Sequence, residues 1–212
     1  MASKRNLLGL SLTASAGWVD AIGFLQLPGF YVSFMSGNTT QLGVAIAQQT
    51  FWPAIFAASL IALFLAGSLF AGLAAGLPDR LALLVILGVE AVLLGVALAL
   101  AVGWHGRGAM VALPVAMGVQ NGAIRQLRPG ATTYVTGTLS HFGHELGRRL
   151  AGADDAVWLP QALTWLSFAL GAAAGALGAT RFGLFALSVP LGIVVICALA
   201  SRTFGTLETQ TE

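Results

Sequence analysis

Six apolar stretches, each close to the roughly 20 helical residues that cross the hydrocarbon of a bilayer, leave this chain little choice but to traverse a membrane repeatedly. With fuzzy ends they run Leu7 to Leu27, Pro53 to Leu77, Leu81 to Val102, Ala109 to Leu127, Val157 to Ala179 and Phe182 to Ala200. Charge is scarce to match. Only 8% of the 212 residues are Asp, Glu, Lys or Arg, against about 25% in a soluble domain, so a water-facing surface cannot be covered and no soluble domain is expected. The 27 glycines sit largely inside the apolar runs, where small residues let membrane helices approach closely. A net charge of +2 from scattered residues is no nucleic-acid footprint. Cys197 is the single cysteine, which rules out an intrachain disulfide or a cysteine metal cluster.

Lys4 and Arg5 precede the first stretch, and Ala14-Ser15-Ala16 resembles a signal-peptide cleavage site. The apolar segment continues past that point through Trp18, Val19, Ile22 and Phe24, so it is expected to be the first membrane helix. Pro78-Asp79-Arg80, Trp104-His105-Gly106-Arg107 and Arg181 punctuate the later stretches. Trp52, Trp104 and Trp158 fall at expected helix ends, where an indole prefers the headgroup level.

Two further segments are too polar to face lipid. Phe30 to Ala47 carries Ser33, Ser36, Gly37, Asn38, Thr39, Thr40 and Gln41; Thr132 to Leu150 carries Thr136, Gly137, Thr138, Ser140, His141, His144, Glu145, Arg148 and Arg149. Unpaired polar groups in hydrocarbon cost several kcal/mol each, so such segments lie inside protein, line a wet cavity or re-enter the same face. Laid over one another with Gly37 on Gly137 and Gly43 on Gly143, they pair conservatively along their length. The same offset pairs Val19 with Val119, Asp20 with Gln120 and Leu27 with Leu127, and a slightly larger one pairs Phe64 with Phe168 and Gly67 with Gly171. A duplication with halves of about 1–104 and 105–212 is the expected organisation of a single transmembrane domain.

Charge bias chooses between two topologies. With six crossings, Lys4, Arg5, Arg80, Arg125, Arg128, Arg148, Arg149 and Arg202 share one side and only Arg107 and Arg181 take the other. With eight, Lys4, Arg5, Arg107, Arg148, Arg149 and Arg202 oppose Arg80, Arg125, Arg128 and Arg181. The positive-inside rule favours six, with both termini cytoplasmic. Three crossings per half would make the duplication a 3+3 inverted repeat, as in many secondary transporters. The expected fold is an all-α integral membrane protein of six transmembrane helices plus two interrupted or re-entrant segments.

The run Gly17-Trp18-Val19-Asp20-Ala21-Ile22-Gly23-Phe24, followed by Phe34-Met35-Ser36-Gly37-Asn38-Thr39-Thr40, resembles the YoaK-like bacterial membrane proteins, a family named as a domain of unknown function. The resemblance implies a bacterial inner-membrane protein of about six spans and supplies no substrate.

Function must therefore come from residues. Asp20 lies within the first helix on a small polar stripe with Gly9, Thr13, Gly17 and Gly23. An intramembrane carboxylate costs on the order of 3 kcal/mol, so it reads as a proton or cation site or as a hydrogen-bond lock between helices. Glu90 is central in its helix, but its neighbours are uniformly apolar and no polar stripe accompanies it, so it reads as a structural interhelical bond, with a role in transport as the other reading. Gly37-Asn38-Thr39 and Gly137-Thr138 could interrupt helices and offer free backbone groups to a ligand. His141, His144 and Glu145 share a helical face without matching the His-Glu-x-x-His zinc spacing, so they read as interface residues. Gly72 with Gly76 and Gly171 with Gly175 have GxxxG spacing, read as packing within the chain. The candidate substrate-binding set is Asp20, Ser36, Gly37, Asn38, Thr39, Gln120, Asn121, Thr136, Gly137 and Thr138, expected to converge near the midplane.

The leading expectation is a small-solute or ion transporter or channel; the alternatives are a structural or accessory protein and an intramembrane enzyme. No nucleophile elbow, Ser-His pairing or phosphate loop is present, which argues against an enzyme. No cofactor or metal is expected. The expected partners are membrane lipid and an unidentified solute or ion, with homodimerisation open.

Overall fold

Long apolar runs bounded by Gly, Pro and charge give long helices. A computed structural model describes residues 2–27, 29–103, 109–128 and 135–202; Trp104, Arg107 and the start of the second polar segment lie outside them. The order is α1 (Ala2–Gln26), α2 (Met35–Ala47), α3 (Phe51–Ala74), α4 (Asp79–Gly103), α5 (Ala109–Leu127), α6 (Val135–Leu150), α7 (Leu159–Phe182) and α8 (Ser188–Ser201), with a 3₁₀ turn at Gly183–Leu187 joining the last two. Asp79 opens α4, where a carboxylate suits the helix dipole. Gly183 adopts φ +57° at the end of α7, a left-handed conformation that glycine takes without steric cost.

Four stretches among the described residues are long and apolar enough to span a membrane: Lys4–Gln26, Phe51–Ala74, Asp79–Ala101 and the composite Leu159–Ser201. Their outer faces carry Leu65, Leu69, Leu73, Val92, Leu170, Leu177 and Ile196, all exposed. Their inner faces are largely apolar too, with Thr13, Ser15, Asp20 and Glu90 among the buried exceptions, and helices apolar nearly all round suit a lipid solvent. By contrast α2 has 13 residues and α6 has 16. At 1.5 Å per residue these reach about 20 and 24 Å, short of the roughly 30 Å hydrocarbon.

The helices interlace. α1 packs on α7 and α3 on α5; α4 contacts α5 and α8; α1 also touches α5 and α8; α2 lies on α3 and α6 on α7. Two of these pairings repeat the same contact. A Cβ added to Gly17 of α1 would meet the Phe168 carbonyl and the Ala172 nitrogen of α7, while one added to Gly118 of α5 would meet the Phe64 carbonyl and the Ser68 nitrogen of α3. Reciprocally, Gly171 faces the Ala14 carbonyl and Gly67 the Val115 carbonyl. Only glycine permits this backbone-to-backbone approach, which substitutes for the hydrophobic drive that lipid cannot supply. The shared environment places Gly17 in register with Gly118, and hence Asp20 with Asn121. Aligning the two polar segments pairs Asp20 with Gln120 instead, one position away. Of the two GxxxG spacings, Gly171 and Gly175 pack on α1, whereas Gly72 meets nothing within 4 Å.

Directions follow from the same contacts. Ala14 and Trp18 meet Gly171 and Gly175 in that order, so α1 runs parallel to α7. Gly9, near the start of α1, packs against Arg128, just beyond the end of α5, so α1 and α5 are antiparallel. The Arg80 guanidinium at the start of α4 donates to the Arg202 carbonyl at the end of α8, which makes that pair antiparallel too. Arg128 further donates to Thr164 Oγ1 at 2.8 Å and to the Pro160 carbonyl at 3.4 Å, fastening α5 to the start of α7.

Candidate functional site

The segment between α1 and α2 leaves the helix at Gln26 and folds back on it. Val32 and Ser33 donate their N–H groups to Asp20 Oδ1 at 3.0 and 2.8 Å, two turns before the end of α1. Gly29 makes the bend with φ +88°, and Gly23 leaves room for the wholly buried Val32 side chain. Asn38 completes the clamp: its Oδ1 accepts the Tyr31 N–H at 2.9 Å and its Nδ2 donates to the Tyr31 carbonyl at 2.7 Å. Non-helical backbone at membrane depth must have its polar groups satisfied by protein, and Asp20 and Asn38 supply that for residues 31–33. Gly37 belongs to the first turn of α2 and packs under the Phe34 and Tyr31 rings. It starts a helix rather than breaking one.

The ten candidate residues do not converge. Among the described residues α2 and α6 share no contact, so Ser36, Gly37, Asn38 and Thr39 are not brought together with Thr136, Gly137 and Thr138. The expected joint site between the two polar segments is not formed, because each short helix is held by a different long one, α3 for α2 and α7 for α6. Ser36, Thr39, Thr136 and Gly137 are exposed and Thr138 is half-buried; the Thr39 hydroxyl donates to the Met35 carbonyl at 2.8 Å. Asn121 is buried and donates to the Met117 carbonyl at 3.2 Å.

A second polar locus lies in the centre of the bundle. Glu90 of α4 has no exposed surface, and neither carboxyl oxygen has a hydrogen-bond partner among the described residues. Gln120 of α5 is equally buried with both amide atoms unpartnered; its side chain faces Glu90 without closing a bond of ordinary geometry, and Cys197 of α8 stands nearby. Ile86, Leu87 and Leu94 flank Glu90 on its own helix, and all are buried. Uniformly apolar neighbours weigh the sequence reading of Glu90 toward a structural bond over a role in transport. The signal that pointed elsewhere is Gln120, a buried amide on the partner helix.

On α6, Glu145 accepts the Val157 N–H at 3.0 Å and pairs with Arg148, which grips Asp155 through two contacts of 2.9 Å. The Val157 amide first, and Arg148 in addition, hold the Glu145 carboxyl below the ordinary glutamate range. Glu145 is thus committed to docking the α6–α7 loop. No group of three possible metal ligands occurs among the described residues.

Helices that expose leucine outward and bury amides and carboxyls inward define a multi-pass, all-α integral membrane protein. The chain belongs to the family described as "Protein of unknown function (DUF1275)", whose model matches residues 8–200. It is 35% identical over 208 residues to a UPF0700 transmembrane protein of Rhizobium meliloti (strain 1021), covering 93% of this chain and 88% of that protein. No solved structure matches it.

Proposed function

We propose that the protein is a small-solute or ion transporter of the bacterial inner membrane, built as an inverted repeat of α1–α4 and α5–α8 with both termini cytoplasmic. The observation that carries this reading is the doubled glycine contact: α1 meets α7 through the same backbone approach by which α5 meets α3. An axis in the membrane plane that exchanges the halves accounts for both contacts and for the antiparallel run of α1 against α5. Six crossings fit this run, whereas eight would set α1 and α5 parallel. Repeats of this kind, with short polar helices at matching places, are the framework of alternating access, in which the halves rock around a central site. The orientation rests on charge: Arg80, Arg125, Arg128 and Arg202 fall on the face where α1 begins.

Purified protein in proteoliposomes, screened for counterflow of small anions, cations, amino acids and sugars, should give saturable flux for one solute class. Absence of flux for every class, with helical content and insertion intact, would favour the accessory-protein reading.

A further inference from the structure

We propose that Glu90, faced by Gln120, is an intramembrane proton-binding site that couples this protein to the proton gradient; the coupling role rests on the transporter reading, and the proton binding does not. A carboxyl at the centre of a membrane helix, with neither oxygen bonded and no cation opposite, stands outside the usual rule that buried charge is paired. The neutral acid removes that conflict by carrying its own proton. Gln120 suits both states. Its Oε1 can accept from the protonated acid, and a turn of the amide presents Nε2 to the carboxylate, so one side chain serves either form. The step is a simple one: the O–H bond breaks, the proton leaves to the wet side, and the electron pair stays on Glu90.

The surroundings select a proton over a metal cation. Hard divalent ions gather six to eight oxygens, and this locus offers two carboxyl oxygens and one amide oxygen among apolar side chains. Nor does another charge compete for Glu90. Of the elements packed on α4, α3, α8 and the 3₁₀ turn carry no charged residue within their helical bounds. α5 brings Arg125, which is exposed and about one and a half turns beyond Gln120. Asp79 and Arg80 lie at the far start of α4 itself, roughly 15 Å along the axis. The titratable neighbour is the Cys197 thiol.

The repeat sharpens the assignment. Leu87-Gly88-Val89 of α4 matches Leu191-Gly192-Ile193 of α8, which puts Val194 at the place of Glu90, and the glycine register puts Val19 at the place of Gln120. Both valines are buried without exposed surface. One side of the pseudo-axis thus holds an acid–amide pair where the other holds hydrocarbon, so a structural need common to both halves does not explain it.

The test is infrared difference spectroscopy of the full chain in lipid nanodiscs across an alkaline pH jump, with glutamate carrying heavy carbon at its carboxyl. The expected result is a labelled carboxylic-acid band that is present near neutrality and lost on alkalinisation. It should be absent from E90Q, retained in D20N and E145Q, and moved to higher frequency in Q120L, where the acid loses its acceptor. Labelling assigns the band in the unmutated chain, so the outcome does not depend on E90Q folding. No labelled acid band at any pH, or one indifferent to pH, overturns the proposal. The band is read without solute. A chain that titrates at Glu90 yet moves nothing would therefore sink the transporter reading alone, and saturable flux without a titrating band would sink the proton site alone.

Discussion

At Asp20 one carboxyl oxygen serves two main-chain amides, and at Asn38 one carboxamide serves both polar groups of Tyr31. Their removal should therefore register as instability. Leaving buried N–H groups unpaired costs about 1–3 kcal/mol each, so Asp20→Ala is expected to lose roughly 2–5 kcal/mol in a denaturation titration in detergent. Asp20→Asn, which keeps an acceptor oxygen, should stay within about 1 kcal/mol of the parent. Asn38→Ala should lose about 2 kcal/mol or more, because it strips both polar groups of Tyr31 of their partner. Equal losses for the Asn and Ala variants at position 20 would show that the charge, not the acceptor geometry, matters. Sequence located both residues as interior and polar, and their burial agrees. It could not say whom they bond, because their partner is the backbone of a neighbouring loop, which leaves no trace in side-chain periodicity. Glu90 and Gln120 lie 30 positions apart in the chain and meet only because α4 packs on α5.

Between elements, small residues decide where helices touch. Gly17→Val and Gly118→Val each drive a side chain into a facing carbonyl, and overpacking of this kind costs about 1–3 kcal/mol. The two variants should lower the melting temperature by similar amounts, since their surroundings are alike. Gly72→Val, with nothing within 4 Å, should fall within about 0.5 kcal/mol of the parent. A destabilised Gly72 variant beside a tolerant Gly17 variant would contradict the packing described. The helices themselves were readable from apolar length: the stretch expected at Ala109 to Leu127 is α5 to the residue, and the others shift by up to six positions. Of the six expected spans, four stretches among the described residues have span length and composition; α5 is not one of them, and the last two expected spans form a single composite stretch. The GxxxG spacing was less informative, because Gly72-Gly76 and Gly171-Gly175 look the same in sequence and only the second pair meets another helix. Spacing tells which glycines share a face, while the partner's position decides whether that face is covered.

For the whole molecule, the antiparallel run of α1 and α5 makes a topological demand. Single cysteines placed beside Arg181 should react with an impermeant thiol reagent from the periplasmic side, and those beside Arg80 should not. Cys197 is buried, so background labelling should be low. External reaction beside Arg80 would reverse the orientation. The interlaced pairing, in which α1 takes its main partner from α7 and α5 takes its own from α3, also has a consequence in time. At translation speeds of about 5–20 residues per second, the roughly 150 residues between Gly17 and Gly171 take on the order of ten seconds to emerge. Throughout that interval α1 stands in the bilayer with its glycine face bare, while Asp20 can already be sealed by the loop that follows directly behind it. The clamp at Val32 and Ser33 lies only 12 and 13 residues beyond Asp20, so all its parts are made long before the partner helix is.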